Sequence, residues 1–99
     1  MKLYLVHCGF YDLEVAEGVF ESHTNFFVVA ESFDDARAKA KLHADFSKKR
    51  MHVDGLQEVS AVNGFRIEAT ADASLDGRTL VVSSRHRDLA PTRPATSLV

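Results

Sequence analysis

The segment Ser22–Ala30 (SHTNFFVVA) ends on Phe26-Phe27-Val28-Val29, four bulky apolar residues in a row. A short run of aromatic and β-branched residues, opened by polar ones, reads as a strand. Successive strand side chains point to opposite faces, so Phe26 and Val28 serve one face and Phe27 and Val29 the other. Both faces of this strand therefore need cover. A chain of 99 residues has room for one domain and one core, which limits what can supply it.

A helix follows at once. Ser32 is a good N-cap, Asp35 sits at the third helical position where a capping box closes, and Asp34 suits the positive end of the dipole. Phe33, Ala36, Ala40 and Ala44 fall on one stripe, and alanines there let a helix lie close to a sheet. Leu42 and Phe46 point nearly the opposite way. Either the helix ends near Lys41 and both belong to the following turn, which is the reading adopted, or they form a second contact surface.

The rest of the chain reads as strands. Lys2–Cys8 is rich in Leu, Val and Tyr, and Gly9–Gly18 looks like an ordered loop. Met51–Val62 reads as a strand interrupted at Asp54-Gly55. Asn63-Gly64 then marks a type I′ turn into Phe65-Arg66-Ile67, because both residues tolerate positive φ. A short strand is expected at Thr79–Ser83 after the Asp76-Gly77 turn. From Ser84 both prolines appear, apolar periodicity vanishes and the local charge turns positive, which predicts a disordered tail over 84–99.

The order strand–strand–helix–strand–strand–(strand) gives a single α+β domain over 1–83, with a mostly antiparallel sheet of four to five strands and one main helix. If the strands flanking the helix are parallel and share a sheet, they form a crossover unit. One helix covers one face only. The simplest cover for the other is a second copy of the same surface in a two-fold homodimer. The competing arrangement folds the Gly9–Gly18 loop over that face.

Charge and cysteine content exclude several classes. The chain is 45% hydrophobic and 26% charged with a net charge of −2, which suits a globular protein and argues against a nucleic-acid binder. Asp12, Glu14, Glu17 and Glu21 form an acidic stretch, and Arg37, Lys39, Lys41, Lys48, Lys49 and Arg50 a basic one. They are read as solvated surface with ordinary complementarity inside the chain, the sharper alternative being contact between subunits. One cysteine rules out an internal disulfide framework and favours a reducing compartment. The start, MKLYLVHCGFYDLE, has an apolar stretch too short to span a membrane and no cleavage site after it, so a cytoplasmic, bacterial-type protein is expected.

Residues able to carry chemistry gather near strand ends: His7 and Cys8, Tyr11 and Asp12, Glu21, His23 and Asn25, and His52, Asp54 and Glu58. If the first two strands pair antiparallel, His7-Cys8 and Glu21-His23 lie at the same end of the sheet. Alternation sets His23 and Asn25 with Phe27 and Val29, and His7 with Leu3 and Leu5. The candidate cluster is His7, Cys8, Tyr11, Glu21, His23, Asn25, His52 and Asp54. Histidines with a cysteine or carboxylate would suit zinc, but there is no CxxC or HExxH spacing, and HxD at His52-Val53-Asp54 is a weak signal. No metal or other cofactor is expected. Cys8 with His23 or His52 would suit nucleophilic catalysis if a base stood by the thiol. The structural alternative buries Cys8 as a small hydrophobe and uses the histidines to satisfy backbone groups.

The strings MKLYLVHCGFYD, ESHTNFFVVAES, KAK, MHVDGLQEV and VNGFRI resemble the small bacterial family called domain of unknown function 1543, from Met1 to about Ile67. Members carry the domain singly or in tandem, so the resemblance implies that a single-copy chain can pair with itself. It implies no activity and no catalytic residue. The function expected is that of a small, non-enzymatic, dimeric binding or interaction module. The alternative is a small enzyme using Cys8 or the His7/His23/His52 group as nucleophile or general base.

Overall fold

A computed structural model describes residues 1–89 of the chain. The strands Lys2–Tyr11 (β1), Glu21–Ala30 (β2) and His52–Val59 (β3) form one sheet in the order β2-β1-β3, with β1 antiparallel to both neighbours. β2 and β3 therefore run parallel with β1 inserted between them. The chain joining them carries the helices Phe33–Lys41 (α1) and Ala44–Lys48 (α2), making a split β-α-β unit.

Pairing of β1 with β2 sets Leu3 opposite Val29, Leu5 opposite Phe27, His7 opposite Asn25, Gly9 opposite His23 and Tyr11 opposite Glu21. All of these share one face. The other face carries Tyr4, Val6, Cys8 and Phe10, which are buried together with Ala30, Ala36, Ala40 and Met51. Phe26, Val28, Phe46, Val53 and Leu56 pack around them. The core thus lies wholly between the sheet and the helices. Ala36 and Ala40 give α1 its close approach, as their stripe predicts.

The Ser32 hydroxyl accepts the Asp35 backbone N–H at 3.1 Å, while the Asp35 carboxylate accepts the N–H of Glu31 at 3.0 Å. That bond, with Lys39 nearby, holds the Asp35 carboxyl below the usual carboxylate range. α1 ends at Lys41, as expected, and Leu42 is left exposed. Phe46 sits in the short α2 rather than in a plain turn, and its ring reaches the core.

The sequence expectation of cover on both faces is not met within the chain. Phe27 is 55% exposed and Val29 is also exposed. Nor does the 9–18 segment close over them. β1 continues through Gly9 to Tyr11, and the loop beyond it carries a turn at Asp12–Val15 and a 3-10 turn at Ala16–Gly18. Asp12 and Glu14 instead line a groove with Lys48, Lys49 and Arg50. The start of the acidic stretch therefore lies across a groove from the end of the basic one within a single chain.

Two further expectations are corrected. The sheet has three strands rather than four or five, because Ala61–Val62 (β4) and Phe65–Arg66 (β5) form a separate two-stranded hairpin. Asn63 (φ 52°) and Gly64 (φ 83°) make its turn, as the Asn-Gly pair predicts. Thr79–Ser83 forms no strand. The Asp76-Gly77 turn is present, but the segment after it lines a groove with Leu3, Phe27, Val28 and Val29, where it makes no ladder with a strand edge. Of the expected tail, 84–89 holds one 3-10 turn at His86–Asp88, and 90–99 lie outside the described residues.

Candidate functional site

The open face of the sheet is apolar at one end and polar at the other. Leu3, Leu5, Phe27 and Val29 lie at the apolar end; His7, Gly9, Tyr11, Asn25, His23 and Glu21 lie at the polar end. β3 adds His52, which pairs with Gly9 across β1. Its register shifts between His7, opposite Gly55, and Cys8, opposite Val53, so Asp54 is the extra residue of a β-bulge. The Asp54-Gly55 interruption legible in the sequence is that bulge. It lets His52 and Asp54 both face the open side while Leu56 returns to the core.

Four side chains then meet in alternation. Glu21 Oε1 is 3.0 Å from His52 Nε2 and 3.1 Å from His23 Nε2. Asp54 Oδ1 is 3.1 Å from His52 Nε2, and Asp54 Oδ2 is 3.3 Å from His23 Nε2. The His7 ring stacks on His23 with centroids 4.9 Å apart. His7 Nδ1 lies 2.7 Å from Asn25 Oδ1. The amide oxygen can only accept, so His7 Nδ1–H donates. Tyr11 donates to Glu21 Oε2 at 3.5 Å. The two carboxylates are about a third exposed and the two histidines nearly half.

Seven of the eight candidates therefore share this end of one face. Cys8 does not: it lies in the core, wholly buried, on the other side of β1. Burial, and then the charge of Asp54, push its thiol above the ordinary range. Neither property suits a nucleophile. In the native protein Cys8 is expected to react with a thiol reagent about 1,000-fold or more slowly than in denaturant, because access requires opening that costs several kcal/mol. Rapid native labelling would restore the nucleophile reading. Glu58 stands apart, accepting the Tyr4 hydroxyl at 3.3 Å and pairing with Lys2 at 3.2 Å. Asp12 accepts the Glu14 N–H within the turn.

The residue that sequence reasoning misplaced is Gly9, taken as the start of a loop. It lies inside β1, beneath the polar ring. A Cβ there would stand against Glu21 Oε1 and 2.7 Å from both Asp54 Oδ2 and His52 Nε2. A glycine interior to a strand signals close approach by another group, and that was the available clue.

Chemically, the site offers imidazole nitrogens and carboxylate oxygens on an open surface rather than in a cleft. Glu21, His52 and Asp54 present ligand atoms within 4.8 Å of one another, as do His7, His23 and Asp54. The fold and the site together define a small α+β domain that carries a polar seat on an uncovered sheet. The chain belongs to the family described as Domain of Unknown Function (DUF1543), whose model matches residues 18–69. That span takes in β2, both helices, β3 and the hairpin; β1, with His7 and Gly9, precedes it. No curated protein and no solved structure matches the chain. No helix among the described residues is long and apolar enough to cross a membrane.

Proposed function

We propose that this protein is a non-catalytic binding module that works as a homodimer, pairing through the apolar end of its open sheet face and taking a ligand at the polar end. The observation that carries the reading is the apolar end of the open sheet face, where Phe27 is 55% exposed and Val29 is exposed, beside Leu3 and Leu5. A specific interface buries about 800 Å² on each partner, and large apolar side chains left in water on one face mark where such burial is favourable.

A second copy fits this face better than an unrelated partner. The patch is apolar and nearly free of charge, so it is complementary to itself, and a two-fold axis sets the same residues against each other. Leu3, Leu5, Phe27 and Val29, extended by Leu80 and Val81, would form its centre. The net charge of −2 gives no general attraction for nucleic acid. An unpaired, buried Cys8 suits a reducing interior, which supports a cytoplasmic setting; the bacterial source rests on the family resemblance alone.

Light scattering on the eluting protein at micromolar concentration tests the pairing. A mass of twice 11.0 kDa is expected. A monomer at that concentration would remove the proposal.

A further inference from the structure

We propose that Glu21, His23, His52 and Asp54 form a site for a divalent first-row transition-metal cation of the zinc type, with Gly9 as its floor. The assignment rests on the polar end of the open face being a ligand seat, and names the ligand.

Protons are short where the four side chains meet. Each of His23 Nε2 and His52 Nε2 lies against two carboxylate oxygens, at 3.0–3.3 Å. A ring nitrogen carries one hydrogen at most, so one N–H faces two acceptors, and a bare Nε2 would set its lone pair against both. Among the described residues, no lysine or arginine pairs with Glu21 or Asp54. A cation at the centre satisfies all four lone pairs at once.

Spacing agrees with such an ion. Ligand atoms about 2.0–2.1 Å from a tetrahedral zinc stand about 3.3–3.4 Å from one another, and somewhat less with higher coordination. The four histidine–carboxylate contacts, at 3.0–3.3 Å, are close to that figure, with Asp54 using Oδ1 toward His52 and Oδ2 toward His23. Two imidazoles select against Mg²⁺ and Ca²⁺, which prefer all-oxygen sets. Cys8 lies on the other face and leaves the set without a thiolate.

Gly9 gives the site its floor. Only glycine at position 9 keeps clear the space into which three of these ligand atoms point.

The test uses untagged, chelator-stripped full-length protein. Zn²⁺ is titrated by calorimetry, and Co²⁺ by its visible d–d absorbance, whose intensity reports the coordination number. One equivalent per chain is expected, with no comparable binding of Mg²⁺ or Ca²⁺. His52→Gln and Asp54→Asn should each weaken binding by at least about 100-fold, since each removes a ligand. Gly9→Ala should do the same while the fold persists. Gly9 is not at positive φ, and its new methyl meets only the movable ends of side chains. Absence of binding at millimolar metal, or binding that these variants leave unchanged, overturns the site. Light scattering on the same samples keeps the two claims apart. A dimer that takes no metal sinks the cation assignment alone, whereas a monomer that binds one equivalent supports the cation and sinks the pairing.

Discussion

Tyr4→Ala is expected to lower the unfolding free energy by about 3–5 kcal/mol, the range for removing a buried aromatic ring. Tyr4 is 1% exposed at the centre of the only face of the sheet that is covered. Its ring meets Phe33 of α1 edge-on with centroids 5.2 Å apart, so truncation opens a cavity where the helix joins the sheet. Removing the ring also deprives Glu58 of its hydroxyl donor at 3.3 Å. Burial, followed by the neighbouring Glu58, pushes the phenol pKa up, so the hydroxyl keeps its proton to donate. Total stabilities of about 5–15 kcal/mol are usual for domains, and among the described residues eight buried hydrophobic ones form this core, so the loss is a large share. Tyr4→Phe keeps the ring and should cost about 1 kcal/mol. Urea unfolding at one fixed protein concentration measures both, because a dimer's apparent stability depends on concentration. Equal effects for the two variants would show that the helix–sheet core is not where the stability resides.

Local signals in the sequence were enough for β2, α1, the hairpin turn and the faces of the paired strands. Ser32 and Asp35 start α1 where the capping pattern places it, and Asn63-Gly64 turns the hairpin. Alternation along FFVV puts Phe27 and Val29 with His23 and Asn25 on one face. The antiparallel pairing of β1 with β2 then follows from their proximity along the chain. What the sequence does not carry is non-local. Glu21 and His52 are 31 residues apart and meet only because β1 lies between β2 and β3. No motif spacing encodes that insertion, which is why a search for HExxH or CxxC finds nothing. Gly9 was misread because its meaning depends on the side chains that converge above it from both flanking strands. Thr79–Ser83 has strand composition and lies beside β2, whose outer edge is open, yet it forms no ladder there; composition does not say which segments pair.

Phe27→Lys should weaken the proposed dimer by about 1,000-fold while leaving the monomer folded. Phe27 lies opposite Leu5 in the apolar end of the open face and is 55% exposed, so its replacement empties no part of the core. A surface change of this kind alters chain stability by about 0.5 kcal/mol or less. Its effect on pairing is larger, because a two-fold axis makes every contact twice. A buried aromatic anchor is worth about 2 kcal/mol or more at an interface, so two copies lose about 4 kcal/mol, which corresponds to about 1,000-fold in the dissociation constant. Two ammonium groups brought to the same axis add repulsion. Light scattering over a concentration series reads the shift, and circular dichroism confirms that the variant is folded. A variant dimer as tight as the parent would mean that Phe27 stays in water in the assembly. The pairing surface would then lie elsewhere, for instance along the unpaired edge of β2 or β3. Zinc titration of the same variant adds an internal control, since Phe27 is not among the ligands: retained binding shows that the polar end keeps its geometry when the apolar end no longer pairs.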